Sequence, residues 1–211
     1  MDSQQKYLYI LFSATPYRMG RWIRFVTGEP YNHVAIATED DLRECYSFAR
    51  RYCDTPFYGG FVTEHPERYH SKIGIARIRL YRLPLTSRQW DLLQERLSQM
   101  RDRSDRYLYN HLSAMAAPLH RKVRVRMAFT CAEFTVSILS QLGFDFDANR
   151  FYTIGDIARR LEDYHIYTGD FPGTDQKESD FFQPRPMTHT LMATTRDLLR
   201  LFWRRYLQYR I

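Results

Sequence analysis

Residues 127–135, Met-Ala-Phe-Thr-Cys-Ala-Glu-Phe-Thr, fix a helix start more tightly than any other part of the chain. Thr130 followed three residues later by Glu133 is a capping box, in which each side chain satisfies an orphan backbone N–H at the other end of the turn. Phe129 before the cap and Phe134 in the first turn supply a hydrophobic staple, which sets how the preceding chain enters. Thr135, Ile138, Leu139 and Leu142 recur at helical spacing, and Gly143 stands where a C-terminal cap belongs. A helix over 131–142 with one inward apolar face is therefore predicted, and Cys131 is its first residue. A thiol there meets outward-pointing N–H groups and the positive end of the macrodipole, a position that favours thiolate. Cysteine on a helix also serves as ordinary core filler, so the position needs a partner histidine before it means chemistry.

Hydrophobic residues make up 44% of the 211, which places the chain among globular proteins with one substantial core. The three cysteines, Cys45, Cys53 and Cys131, are an odd number, and no apolar run near Met1 is long enough for a signal peptide. A reduced, cytoplasmic protein is expected, and no segment reaches the length of a membrane span. The net charge of +7 invites anionic partners. Its arginines are nevertheless spread along the chain, with local excesses only at residues 120–126 and 196–210, and neither excess resembles a nucleic-acid motif.

Residues 6–13 are rich in β-formers and read as a buried strand. Thr15-Pro16 follows as N-cap and first residue of a short helix that Gly28 and Pro30 stop. Residues 33–38 and 42–48 then form a hairpin around the turn Glu39-Asp40-Asp41, with His33 at its start. Residues 50–73 contain Pro56, Gly59, Gly60 and Pro66 and read as an irregular surface loop, in which the glycine pair permits close backbone approach. A half-exposed strand is predicted over 76–83, and Thr86 with Gln89 is a second capping box opening a helix through Trp90, Leu93, Leu97 and Met100. Residues 107–117 read as helix, 153–163 as a short helix and 165–168 as a final strand. The organisation expected is a domain over 1–173, a polar linker over 174–190 and a basic amphipathic helix over 191–211, with Leu198, Leu199, Phe202 and Tyr206 opposed to Arg196, Arg200 and Arg204. Such a helix suits packing onto its own domain or contact with an anionic membrane or a protein partner.

Seven histidines are available, and periodicity does not choose among them. The phrase Tyr31-Asn-His-Val-Ala-Ile36 does, when taken with the hairpin that follows and with Thr130-Cys-Ala-Glu133 downstream. In these residues the chain resembles the permuted papain-fold, NlpC-type cysteine hydrolases, with lecithin:retinol acyltransferase-like relatives, in which the histidine precedes the nucleophile. The resemblance implies an α+β fold with a small antiparallel sheet packed against the cysteine-bearing helix. It also implies Cys131 as nucleophile and His33 as general base, attacking an amide or ester carbonyl through a thioester. A third polar residue on the neighbouring strand should orient the imidazole. Strict alternation puts Cys45 and Ser47 on one face and Glu44 and Tyr46 on the other, so Ser47 is preferred and Glu44 is the alternative.

A rival zinc site from Cys45, Cys53, His65 and His70 does not have finger-type spacing, so no metal or cofactor is expected. The implied substrate is a peptide, isopeptide or acyl or lipid-derived amide. The alternative function is a non-catalytic binding protein on the same fold, recruited to an anionic membrane or partner by the C-terminal helix.

Overall fold

A computed structural model describes residues 5–71, 74–172 and 180–208. Positions 174–179 of the expected linker and 209–211 of the expected terminal helix lie outside them. The fold is α+β. Its main sheet is antiparallel and contains β1 (Lys6–Ala14), β2 (His33–Ala37), β3 (Cys45–Arg50), β4 (Gly59–Glu64), β5 (Arg77–Leu85) and β6 (His165–Asp170), in the spatial order β6-β5-β1-β2-β3-β4. The helices are α1 (Arg18–Thr27), α2 (Ser87–Asp102), α3 (His111–Ala116), α4 (Cys131–Gln141), α5 (Ile154–Arg160) and α6 (Met187–Gln208).

Side chains alternate across each strand, which gives the sheet two unlike faces. Leu8, Ile10 and Phe12 of β1, with Val34, Ile36, Phe48 and Phe61, meet Leu93 and Leu97 of α2, Phe134 and Leu139 of α4, and Ile157 of α5. Phe48 lies at the centre of this layer, with ring centroids 5.2 Å from Phe129, 5.4 Å from Phe134 and 5.8 Å from Phe61. Phe48, Phe61 and Phe134 are fully buried and contribute about 1.5–3 kcal/mol each, while Phe129 is partly buried against them. The other face carries the smaller Ala35, Ala37 and Cys45, closed over by Leu42, Tyr69 and Phe171. Ser13, Ser47 and Glu64 bring polar groups to that same face, and all three are buried.

Both predicted capping boxes form, at Thr86 with Gln89 and at Thr130 with Glu133, and Thr153 with Asp156 makes a third. Gly143 takes φ 85°, the left-handed conformation a helix end favours. Thr15 does not cap a helix. Its hydroxyl accepts from Asn32 Nδ2 at 2.9 Å, while α1 begins after Tyr17 without a side-chain cap. Residues 107–117 are helical only from His111, because the Asn110 side chain accepts from the Ser113 N–H and starts the helix there. Leu108 and Tyr109 instead pair in parallel with Ala128 and Phe129.

The expected loop over 50–73 contains β4, paired along its whole length with β3. Phe61-Val62-Thr63 are strand formers, and the adjoining glycines suit a crowded site rather than a turn. A Cβ at Gly60 would collide with the carbonyl oxygen of Tyr107, and one at Gly59 would sit 2.8 Å from the carbonyl oxygen of Ala49. The chain that approaches this glycine pair is therefore the protein's own.

Candidate active site

His33 is the first residue of β2, opposite Ser13 of β1. Asn32 holds the start of that strand. Its N–H donates to the Ser13 carbonyl at 3.1 Å, and its Oδ1 accepts from the Thr15 N–H at 3.0 Å and from Arg24 Nη1 at 2.6 Å. One side chain thus ties the end of β1, α1 and the imidazole-bearing strand together.

His33 Nε2 lies 2.7 Å from Glu64 Oε1. Glu64 ends β4, two strands away, where the register sets it opposite Cys45 and on the face that Ser47 shares. The Ser47 hydroxyl also donates to Glu64 Oε1, and the buried Tyr69 hydroxyl donates to Oε2 at 2.7 Å. A buried carboxylate needs such partners, since an unpaired one would carry a large desolvation penalty. Tyr69 is fixed in turn by stacking on Phe171, with ring centroids 4.5 Å apart.

The carboxylate against the imidazole therefore comes from Glu64, and the two residues expected there stand elsewhere. Ser47 is one hydrogen bond back, on the carboxylate rather than the ring. Glu44 is exposed and accepts from the Tyr46 hydroxyl at 2.8 Å. The physical reason is register: Ser47 pairs with Val62, so the longer Glu64 side chain reaches the ring from the next strand.

Burial opposes charge on both groups, and their mutual attraction overrides it. Desolvation would lower the imidazole pKa, but the Glu64 carboxylate and the nearby Cys131 sulfur raise it from 6.5 to about 10. Desolvation would raise the Glu64 pKa, but His33, Arg68 and Ser47 bring it down from 4.5 to about 2. Around neutrality His33 and Glu64 form a buried imidazolium–carboxylate pair.

Cys131 reaches this pair from the helix side. It is the first residue of α4, is 7% exposed, and lies close enough to His33 for its sulfur to act on the ring. The capping box does more than begin the helix, because Glu133 is itself buried. It accepts from the Ser113 hydroxyl at 2.5 Å and from Asn110 Nδ2 at 3.3 Å, besides capping Thr130 N–H at 2.8 Å. Tyr109 stands beside the sulfur on the neighbouring strand pair. Burial and then the neighbouring Cys131 sulfur hold its phenol well above the ordinary range, so it is a neutral donor.

Cys45, Cys53, His65 and His70 do not converge. Cys45 is buried with its thiol on the Leu42 carbonyl, His65 Nδ1 is bonded to the Arg43 carbonyl, and His70 packs edge-on to Phe171. Among the described residues no three His, Cys, Asp or Glu side chains form a group that could hold a metal ion.

Sequence reasoning missed Glu64, Tyr69 and Tyr109. A signal for the first was present, since Phe61-Val62-Thr63 is a strand-forming triplet that carries Glu64 at its end. Comparison with family models, curated proteins and solved structures finds no match to this chain.

Proposed function

We propose that the protein is a cysteine hydrolase or acyltransferase of permuted papain-like fold, acting on an amide or ester carbonyl. The observation that carries this reading is that His33, bonded to Glu64 at 2.7 Å, lies within electrostatic reach of the Cys131 sulfur at the start of α4. With its proton already held on the His33 imidazolium, Cys131 Sγ attacks the carbonyl carbon as the thiolate, forming a C–S bond and a tetrahedral oxyanion. The backbone N–H of Cys131, at the first position of α4, is one donor to that oxyanion, and the neutral Tyr109 hydroxyl is the second we assign. Collapse breaks the bond to the leaving group, which takes the proton from His33 and departs as amine or alcohol. The resulting thioester is cleaved by water, or its acyl group passes to another nucleophile, with His33 accepting the incoming proton. Glu64 keeps its charge throughout, holding the ring's orientation and stabilising the imidazolium.

The substrate class this reading favours is a peptide, isopeptide or lipid-derived amide. Mass spectrometry after exposure to acyl-type electrophiles tests it. An adduct confined to Cys131, and abolished by His33→Ala, is the expected result. Equal labelling of Cys53 and Cys131, or labelling indifferent to His33→Ala, would overturn the proposal.

A further inference from the structure

Helix α6 carries two apolar stripes, and only one faces the protein. Ala193 and Leu201 are buried, Leu201 among Leu108, Val125 and Ala128. Arg204 Nη1 donates to the Arg106 and Arg126 carbonyls at 3.0 and 3.3 Å, and Arg205 Nη1 to the Arg124 carbonyl at 3.0 Å. Of the apolar face read from sequence, Leu199, Phe202 and Tyr206 are turned to solvent, together with Met192 and Trp203. Met192 is 74% exposed, Leu199 65%, Phe202 55% and Trp203 62%, at positions that recur with helical spacing. An exposed patch of this kind on a folded helix marks an interaction surface.

Its border is basic. Arg196 and Arg200 flank the exposed stripe, and Arg124 and Arg126 belong to the segment against which α6 packs. The acidic residue in the described part of α6 is Asp197, which is buried and pairs with Arg196 and Arg200 at 3.3 and 3.8 Å. A second copy of the chain seated on this stripe would bring two arginine borders together with no outward acid on either helix to answer them. An anionic surface answers both features at once.

We propose that the Met192, Leu199, Phe202 and Trp203 face of α6 lies in the headgroup layer of an anionic bilayer, with the flanking arginines on lipid phosphates and carboxylates. The helix lies on the membrane rather than across it: no helix among the described residues is long and apolar enough to span one. The surface is separate from Cys131, so the proposal holds whichever way the catalytic reading is decided.

Co-sedimentation of the full chain tests it, with vesicles of phosphatidylcholine alone and of phosphatidylcholine mixed with phosphatidylserine. Binding is expected only to the mixed vesicles and should weaken as salt is raised. Leu199→Ser with Trp203→Ser should weaken it about tenfold or more while leaving the melting temperature unchanged, and Cys131→Ser should bind as the wild type does. Slower amide exchange along α6 in the presence of mixed vesicles is the readout that needs no substitution. No binding to mixed vesicles, or equal binding by the Leu199/Trp203 variant, would overturn the proposal. So would a wild-type dimer that the same two substitutions dissociate without any vesicle binding.

Discussion

Glu64 at the end of β4 and His33 at the start of β2 come from strands that are not neighbours in the sheet, yet their side chains meet at 2.7 Å. Intervening β3 allows this by placing small residues, Cys45 and Ser47, on the shared face. The imidazole is thus anchored by a carboxylate that is itself held by Ser47 and Tyr69.

Removing the charge of Glu64 should therefore cost both stability and reactivity. Glu64→Gln is expected to lower unfolding free energy in urea by about 3 kcal/mol, the scale for breaking a buried pair. Alkylation of Cys131 should slow by roughly a hundredfold, because the ring loses its fixed orientation. Wild-type alkylation rates in this variant would show that the carboxylate does not govern the imidazole.

The pair also sets a pH window for stability. Glu64 is depressed, so its contribution is present above its free value of 4.5 and is lost as pH falls through about 2. His33 is raised, so its contribution is full below 6.5 and is lost as pH rises through about 10. The stability difference between wild type and a His33→Gln, Glu64→Gln double variant should peak between pH 4.5 and 6.5 and shrink on both sides. A difference that does not change with pH would be incompatible with a charged pair.

Ser47 and Glu44 separate direct from indirect contact with the ring. Ser47→Ala removes one donor to Glu64 and should destabilise by about 1 kcal/mol, with Cys131 alkylation slowed less than about tenfold. Glu44→Ala removes an exposed carboxylate and should stay within about 0.5 kcal/mol of wild type. If Ser47→Ala matched Glu64→Gln in reactivity, the hydroxyl rather than the carboxylate would be the orienting group.

Tyr109→Phe distinguishes thiol activation from oxyanion stabilisation. Alkylation by iodoacetamide forms no oxyanion and should be little changed. Turnover of an ester or amide substrate that the wild type cleaves should fall by about a hundredfold, the scale for losing one preorganised donor. Parallel loss of both would place Tyr109 in support of the sulfur instead.

Legibility in the sequence followed how local each signal was. The Thr130–Glu133 cap and the Thr86–Gln89 cap need only four adjacent residues, and both were readable along with the helix bearing Cys131. The strand carrying His33 was readable from its β-branched run. Glu64 was not, because its role depends on a register across three strands, and Gly59-Gly60 with Pro56 and Pro66 suggested a loop. Which face of α6 meets the domain was left open for a related reason. Helical periodicity identified Leu199, Phe202 and Tyr206 as a stripe, but Leu201 and the arginine contacts to backbone carbonyls decide which side meets the domain.

Met127 stands in the left-handed region, with φ 55°, immediately before the short strand that delivers Cys131. A side chain with a Cβ holds that conformation at a cost of about 1–2 kcal/mol, so neighbouring contacts must sustain it. Arg204 of α6 supplies some of them, reaching the Arg126 carbonyl at 3.3 Å and the Met127 carbonyl at 3.5 Å. The terminal helix is in this sense a brace for a cocked spring, pinning the bend four residues ahead of Cys131.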